Sequence, residues 1–193
     1  MLAIIKYLTA GESHGKGLLG IIDNIPAGLE ISEEYIAKQL FRRQQGHGRG
    51  GRMKIESDYS EIYTGVRHGE TLGAPIGLIL PNKDWENWTT RMAIDKQNSK
   101  TKKVTLSRPG HADLAGLQKY DFDDIRNVLE RSSARETAMR VALGSICRKL
   151  LEEVGIYVGS RVTQIYNIKD ESLIPSGMSP EELNELVDKS PVR

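Results

Sequence analysis

The chain is short of several things, and each shortage closes off a class of protein. It has one cysteine, Cys147, in 193 residues, so an intrachain disulfide framework and a cysteine-rich zinc site are excluded. Its four histidines are scattered without metal-ligand spacing, so no metal is expected. No apolar run approaches the roughly 20 residues of a membrane span. Neither sign of charge dominates, and the formal net charge is +1. Charge alone therefore does not favour nonspecific nucleic-acid binding. The opening Met1–Lys6 is too short for a signal peptide, and a cytoplasmic location is expected. Aromatic content is only 6%, but glycine is frequent at 19 residues, which suggests tight turns and loops where backbone meets ligand.

What remains is a globular composition, 38% hydrophobic and 27% charged. The length suits one large domain or a domain and a half. Residues 3–9 and 18–25 read as strands around the loop Gly11–Gly17, and Pro26 and Gly28 end the second. Ser32 reads as an N-cap, with Glu33 and Glu34 in the first turn and an apolar face of Ile36, Leu40 and Phe41 running to Gln44. Residues 46–52 are too glycine-rich for regular structure. Residues 61–66 and 74–80 read as strands joined by a turn near His68–Gly69. Residues 82–106, with Trp85 and Trp88 among charges, read as an exposed excursion, a lid or an oligomer contact. A loop through Ser107–His111 and a short helix follow.

A long helix is predicted over 133–154. Met139, Leu143, Ile146, Leu150 and Val154 form one apolar stripe, and Ala134, Ala138, Val141, Ala142 and Ser145 a second. Two apolar faces describe a central helix, covered on both sides. Gly144 would cost about 1 kcal/mol relative to alanine, and close approach by another element accounts for it. Cys147 lies in the apolar pattern as a small core residue. Residues 156–168 read as one or two strands, and Ser179–Pro180 opens a last helix with proline in its first position.

The start of the long helix carries the densest chemistry. Ser133-x-x-Glu136 reads as a capping box. A helix N-terminus offers unpaired N–H groups and partial positive charge, and Arg131 and Arg135 add guanidinium groups, which together suit a phosphate. A capped helix with two solvated arginines is the competing reading. His14 and His111 sit in loops beside glycine. Singly each reads as surface decoration; together, near arginines, they read as two proton donors around an anionic substrate. His47 and His68 carry less weight. Gly15-Lys16-Gly17-Leu18-Leu19-Gly20 matches a dinucleotide string, but a strand rather than a helix follows it. A P-loop fails on spacing. Arg42, Arg43, Arg49, Arg52 and Lys54 read as a solvated face, an RNA-contacting segment or a phosphate-gripping loop. No aromatic platform lies between Phe41 and Tyr59, so phosphate fits better.

Four segments together resemble the chorismate synthase family. Gly11-Glu12-Ser13-His14-Gly15 through Ile25-Pro26 is similar to its first signature, and Arg131-Ser132-Ser133-Ala134-Arg135-Glu136-Thr137 through Gly144 to its second. Arg108-Pro109-Gly110-His111-Ala112-Asp113 and Arg43-x5-Arg49-Gly50-Gly51-Arg52-Met53-Lys54 also fit the family's pattern. The resemblance implies an α+β fold with antiparallel sheets sandwiching central helices. It implies a cytoplasmic lyase that converts 5-enolpyruvylshikimate 3-phosphate to chorismate and phosphate by 1,4-anti-elimination. The implied cofactor is reduced FMN, with NADPH as flavin reductant in some members. By resemblance His14 protonates the departing phosphate and His111 helps protonate the flavin. Arg131, Ser132, Ser133, Arg43 and Arg49 are implied cofactor contacts, and Arg49, Arg52 and Arg135 are implied contacts of the substrate phosphate.

Family members are considerably longer and carry a third signature that residues 1–193 lack. The chain is therefore expected to be the N-terminal part of a single domain, its full-length form a homotetramer acting on a small molecule without nucleic acid or membrane. The alternative is a non-catalytic phosphate- or flavin-binding half that needs a partner segment. A weaker alternative is RNA binding through residues 42–54.

Overall fold

Alternation along the strands decides which side of the sheet becomes the core. The computed structural model describes residues 4–46, 58–97 and 101–191. Strand β1 (Lys6–Gly11) pairs antiparallel with β2 (Gly17–Asp23), with Lys6 opposite Asp23 and Gly11 opposite Leu18. Leu18, Gly20 and Ile22 of β2 face inward, while Leu19 and Ile21 face out. On the other side of β2 lies β6 (Ile76–Pro81), which buries Ile76, Leu78 and Leu80 by the same alternation. β3 (Glu61–Thr64) completes a sheet of order β1-β2-β6-β3, with a bulge between Ile62 and Thr64. After that bulge Val66 leaves the sheet. It enters a small hairpin, β4 (Val66–Arg67) with β5 (Glu70–Thr71). The tight turn between them needs positive φ at both central residues, and His68 (53°) and Gly69 (84°) supply it.

Two of the helices share the core on one face of that sheet. In α1 (Glu33–Gln44) the Ser32 hydroxyl accepts from the Tyr35 amide, as its sequence predicts, and Ile36 and Leu40 are buried. Two short helices, α2 (Asp113–Tyr120) and α3 (Arg126–Leu129), lead into α4 (Glu136–Glu153). Ala138, Met139, Ala142, Leu143 and Ile146 of α4 join Leu18, Ile22, Ile76, Leu78 and Leu80 in one core. Each such leucine or isoleucine contributes roughly 1.5–3 kcal/mol by leaving water. A Cβ on Gly20 would lie 2.4 Å from the Met139 sulfur, so glycine there lets α4 come down onto β2.

The sequence expectations for α4 need four corrections. The helix starts at Glu136 rather than 133, and the Ser133 capping box does not form; Arg135 is the N-cap residue and makes no side-chain cap. The Glu136 carboxylate is taken instead by the Thr9 hydroxyl at 2.8 Å and Arg140 Nε at 2.7 Å. Gly144 is exposed with open space beyond it, so no neighbouring element explains it here. Val154 is 66% exposed, Ala134 is exposed and Cys147 is only half-buried. Among the described residues the far side of α4 is thus open; the fold is α+β, as expected, with a four-stranded antiparallel sheet that packs on α4 and two further two-stranded antiparallel hairpins. Of residues 156–168 only the last few are in strands, in a minimal hairpin of β7 (Gln164–Ile165) with β8 (Ile168–Lys169). α5 (Pro180–Asp188) has a full capping box between Ser179 and Glu182, with proline at its start. Among the described residues no helix is long and apolar enough to cross a membrane.

Candidate active site

The loop between β1 and β2 is held from two sides. Gly11 has φ of 106°, and a Cβ there would lie 2.5 Å from the Gly17 carbonyl, so only glycine lets the chain turn here. Asn82, buried at the end of β6, donates its side-chain amide to the Glu12 and Gly15 carbonyls at 3.1 and 2.8 Å. The Asn82 backbone amide donates to the Lys16 carbonyl at 3.1 Å. From the other side, the Ser13 amide donates to the Glu130 carbonyl at 2.9 Å. This clamped loop presents His14.

The His14 imidazole is fixed on both its edge and its face. Nδ1 lies 2.8 Å from Glu130 Oε2, and the same oxygen accepts the His14 backbone amide at 2.9 Å. The Glu130 side chain is 1% exposed. Arg126 Nη1 donates to its other oxygen at 3.2 Å. Burial pushes the Glu130 carboxyl up, but hydrogen bonds from the His14 ring and amide, with the charge of Arg126, outweigh it and hold it below its ordinary value. Trp88 stacks on the imidazole with ring centroids 3.8 Å apart and planes at 26°. The guanidinium carbons of Arg91 and Arg126 each lie 5.5 Å from the Trp88 ring centroid. The indole N–H donates to Asp84 at 2.7 Å. The excursion expected at 82–106 is therefore anchored at Asn82 and folds its Trp88 onto His14.

His111 repeats the arrangement with a different carboxylate. Its Nδ1 lies 2.6 Å from Asp113 Oδ1, and the Asp113 side chain is fully buried. Arg108 donates to Asp113 from its backbone amide at 3.0 Å and from Nε at 2.9 Å. The Arg108 side chain holds the Asp113 carboxyl well below the carboxylate range, against the upward push of burial. Asp113 opens α2, and α2 rests on α3 where Gly116 faces Val128. α3 runs directly into Glu130. Arg108 is held more firmly protonated first by the hydrogen bond to Asp113, and the charge of Glu130 also reaches it.

The predicted arginines divide. Arg131 keeps a 40% exposed side chain. Its Nη2 donates to the Thr9 carbonyl and hydroxyl, both at 2.8 Å. Ser132 is exposed and Ser133 half-buried beside it. Arg135, expected on a substrate phosphate, is 6% exposed; it pairs with Asp58 and donates Nε to Asn82 at 3.0 Å. Arg43 reaches the same Asp58 at 3.3 Å and donates to the Thr137 hydroxyl and the Ala134 carbonyl. Asp58 thus bridges two arginines behind the loop of His14. Arg42 pairs with Asp188 of α5. Arg49, Arg52, Lys54 and His47 lie outside the described residues.

Sequence reasoning missed Glu130, Asp113, Asn82, Asp58 and Trp88 as members of this site. Asp113 stood inside a quoted motif, two residues from His111, which was a usable signal, and Glu130 directly precedes the Arg131 motif. Asn82, Asp58 and Trp88 gave none. Chemically, each imidazole is held at Nδ1 on a buried carboxylate, which leaves Nε2 for proton transfer, while arginines supply positive charge. Among the described residues no group of three or more His, Cys, Asp or Glu side chains could hold a metal ion.

A family model described as chorismate synthase matches residues 5–192. The chain belongs to the chorismate synthase family. It is 54% identical to a chorismate synthase of Chlorobium luteolum, over 98% of this chain and 49% of that relative. It is 51% identical to one from Enterococcus faecalis, again over 98% of this chain and 49% of the relative. A crystal structure of a chorismate synthase superposes with a TM-score of 0.74 at 42% identity, covering all of this chain and 49% of that one. The chain spans about half the length of the chorismate synthases it matches.

Proposed function

We propose that residues 1–193 are the N-terminal part of one chorismate synthase domain and supply its proton-transfer groups. The reaction removes phosphate and a ring hydrogen from 5-enolpyruvylshikimate 3-phosphate, giving chorismate with no net redox change. The observation that carries the reading is the pair of imidazoles, each anchored through Nδ1 on a buried carboxylate.

The residues at the start of α4 have a donor set that suits an anionic flavin: the half-exposed guanidinium of Arg131 beside the hydroxyls of Ser132 and Ser133. These residues, with Arg43 and Arg49, would hold reduced FMN. When bound, the reduced flavin would lend the electron that lets phosphate leave and would recover it with the non-acidic ring hydrogen, so no net redox change results. The protein's own part is positioning and charge. His14 holds a proton at Nε2 for the departing phosphate. His111, fixed by Asp113, offers a proton from its Nε2 toward the flavin. Arg49 and Arg52 hold the substrate phosphate, and Arg135 reaches it indirectly, by bracing Asn82 and the loop of His14. A cytoplasmic location, a homotetrameric full-length form and NADPH as reductant belong to the same reading and rest on family likeness.

The test is anaerobic turnover with chemically reduced FMN and 5-enolpyruvylshikimate 3-phosphate, following phosphate and chorismate together. Equal release of both by the full-length protein is expected. His14→Ala and His111→Ala should each lower its rate by roughly 10²–10⁴-fold with the fold intact. Near-normal rates in both would refute the proton roles. Release by the full-length protein but not by residues 1–193 would show that the rest of the domain is needed to complete the site.

A further inference from the structure

We infer that Glu130 is the positioning residue of His14, acting on the proton-transfer atom without touching substrate. The inference rests on the reading above for its kinetic consequence, but its geometry stands alone. One carboxylate oxygen accepts both the His14 backbone amide, at 2.9 Å, and lies 2.8 Å from the ring Nδ1. The Glu130 carbonyl takes the preceding Ser13 amide at 2.9 Å. A single residue therefore fixes the main chain on both sides of the Ser13–His14 peptide and the ring itself. The carboxylate is ionised and can only accept, so Nδ1 must carry the proton. Nε2 is then the nitrogen left to gain or lose a proton.

The arrangement closes on itself. Arg126 Nη1 bonds Glu130 Oε1 at 3.2 Å and its guanidinium covers Trp88, which stacks on His14. His14, Glu130, Arg126 and Trp88 form a ring of contacts. The stack sets the plane of the imidazole, and the carboxylate sets its rotation within that plane. Arg126 neutralises the carboxylate through Oε1, which also lies 3.1 Å from His14 Nδ1, and this keeps a buried charge paired. When Nε2 takes a proton, the imidazolium faces a carboxylate already in place, as a buried aspartate does for the histidine of a serine protease.

Two measurements test this. In the wild-type chain with 15N-labelled histidine, His14 is assigned by the signal lost in His14→Gln. Its neutral ring should show the proton on Nδ1. A proton on Nε2 instead would overturn the inference, whatever the protein's activity. In the full-length enzyme, Glu130→Gln should lower kcat by roughly 10²-fold or more. KM should stay within about twofold, because the lost interaction acts on the transition state. Glu130→Gln in a His14→Ala background should cost far less turnover than it does in the wild type, because the carboxylate reaches the proton-transfer atom through that ring, and its bond to the residue 14 amide remains available to glutamine. Additive losses in the double variant would assign Glu130 a separate structural role and overturn the inference. Should Glu130→Gln not fold, the wild-type tautomer decides alone. An enzyme that makes no chorismate would refute the proposed reaction and leave the tautomer result to judge the positioning role.

Discussion

Arg135 Nε donates to Asn82 Oδ1 at 3.0 Å, and the other end of that amide holds the Glu12 and Gly15 carbonyls at 3.1 and 2.8 Å. Asn82 is thus a two-ended tie between the start of α4 and the loop that carries His14. Asp58 anchors the arginine, and Arg43 of α1 anchors Asp58. A chain of polar contacts therefore runs from the helix layer to the site. It lies in buried surroundings, where breaking a link leaves unsatisfied groups.

Asn82→Ala removes three of those hydrogen bonds at once. The guanidinium and two carbonyls lose a partner at a position 5% exposed. Unsatisfied buried groups cost about 1–3 kcal/mol each, and water can reach the loop side, so a total near the single-group figure is expected. Urea denaturation measures it. In the full-length enzyme turnover should fall too, through the displaced loop.

Asp58→Ala should do more damage than Asn82→Ala. It strands Arg135, a charge only 6% exposed, and unties Arg43. Breaking one side of a buried pair costs about 3–5 kcal/mol. The double variant Asp58→Leu with Arg135→Met should recover part of the loss, since the most deeply buried charge is gone, while Arg43 still loses Asp58 but keeps its bonds to the Ala134 carbonyl and the Thr137 hydroxyl. Thermal midpoints of the three proteins check this. A double variant no better than Asp58→Ala would mean that the pair is not the source of the loss.

The elements that sequence made legible are those with local causes. Ser32 caps α1 because its hydroxyl reaches Tyr35 three residues on, and Met139, Leu143 and Ile146 share a face because α-helical geometry puts them there. The Ser133 capping box failed because the Glu136 carboxylate answers to Thr9, 127 positions away, as well as to its own helix. Glu130 was hidden in the same way: its partner His14 is 116 positions away. The histidines were legible as chemistry, since loop placement beside glycine is a local property. What fixes their tautomer was not, since that depends on which distant carboxylate the fold delivers. Trp88 read as part of a polar excursion because its neighbours in sequence are charged, while its neighbour in space is an imidazole.

Asp113 should give the protein an acid-sensitive element. The Arg108 hydrogen bond is the main cause that depresses its carboxyl in the folded state, while the unfolded value stays near the usual 3.9. A group depressed by folding stabilises the native state in full above its unfolded pKa. That contribution is lost as pH falls from about 4 toward the folded value. Asp113→Asn has no such group to titrate. The stability gap between wild type and variant should be constant from pH 7 to about 5 and shrink below about 4. Urea midpoints at a series of pH values measure it. A gap that widens on acidification would contradict the assigned direction.

Gly116 and Val128 set the spacing between the segment of His111 and the segment of Glu130. A Cβ on Gly116 would lie 2.3 Å from Val128 Cγ1 and 2.7 Å from Cγ2. Two effects compete in Gly116→Ala. The alanine gains about 1 kcal/mol of helix propensity in α2. Against that stands overlap with a β-branched side chain that has little rotamer freedom and is itself buried. Overpacking of this kind costs about 1–3 kcal/mol, so a net loss of up to about 2 kcal/mol is expected, together with separation of α2 from α3. Val128→Ala alone loses stability by opening a cavity. In the double variant the new methyl enters the space that valine vacated, and the propensity gain remains. It should therefore be more stable than either single variant. In the full-length enzyme Gly116→Ala should lower turnover by moving His111 relative to His14, and adding Val128→Ala should restore it. Stability rescued without turnover would mean that the α2–α3 spacing supports the fold but does not set the distance between the two histidines.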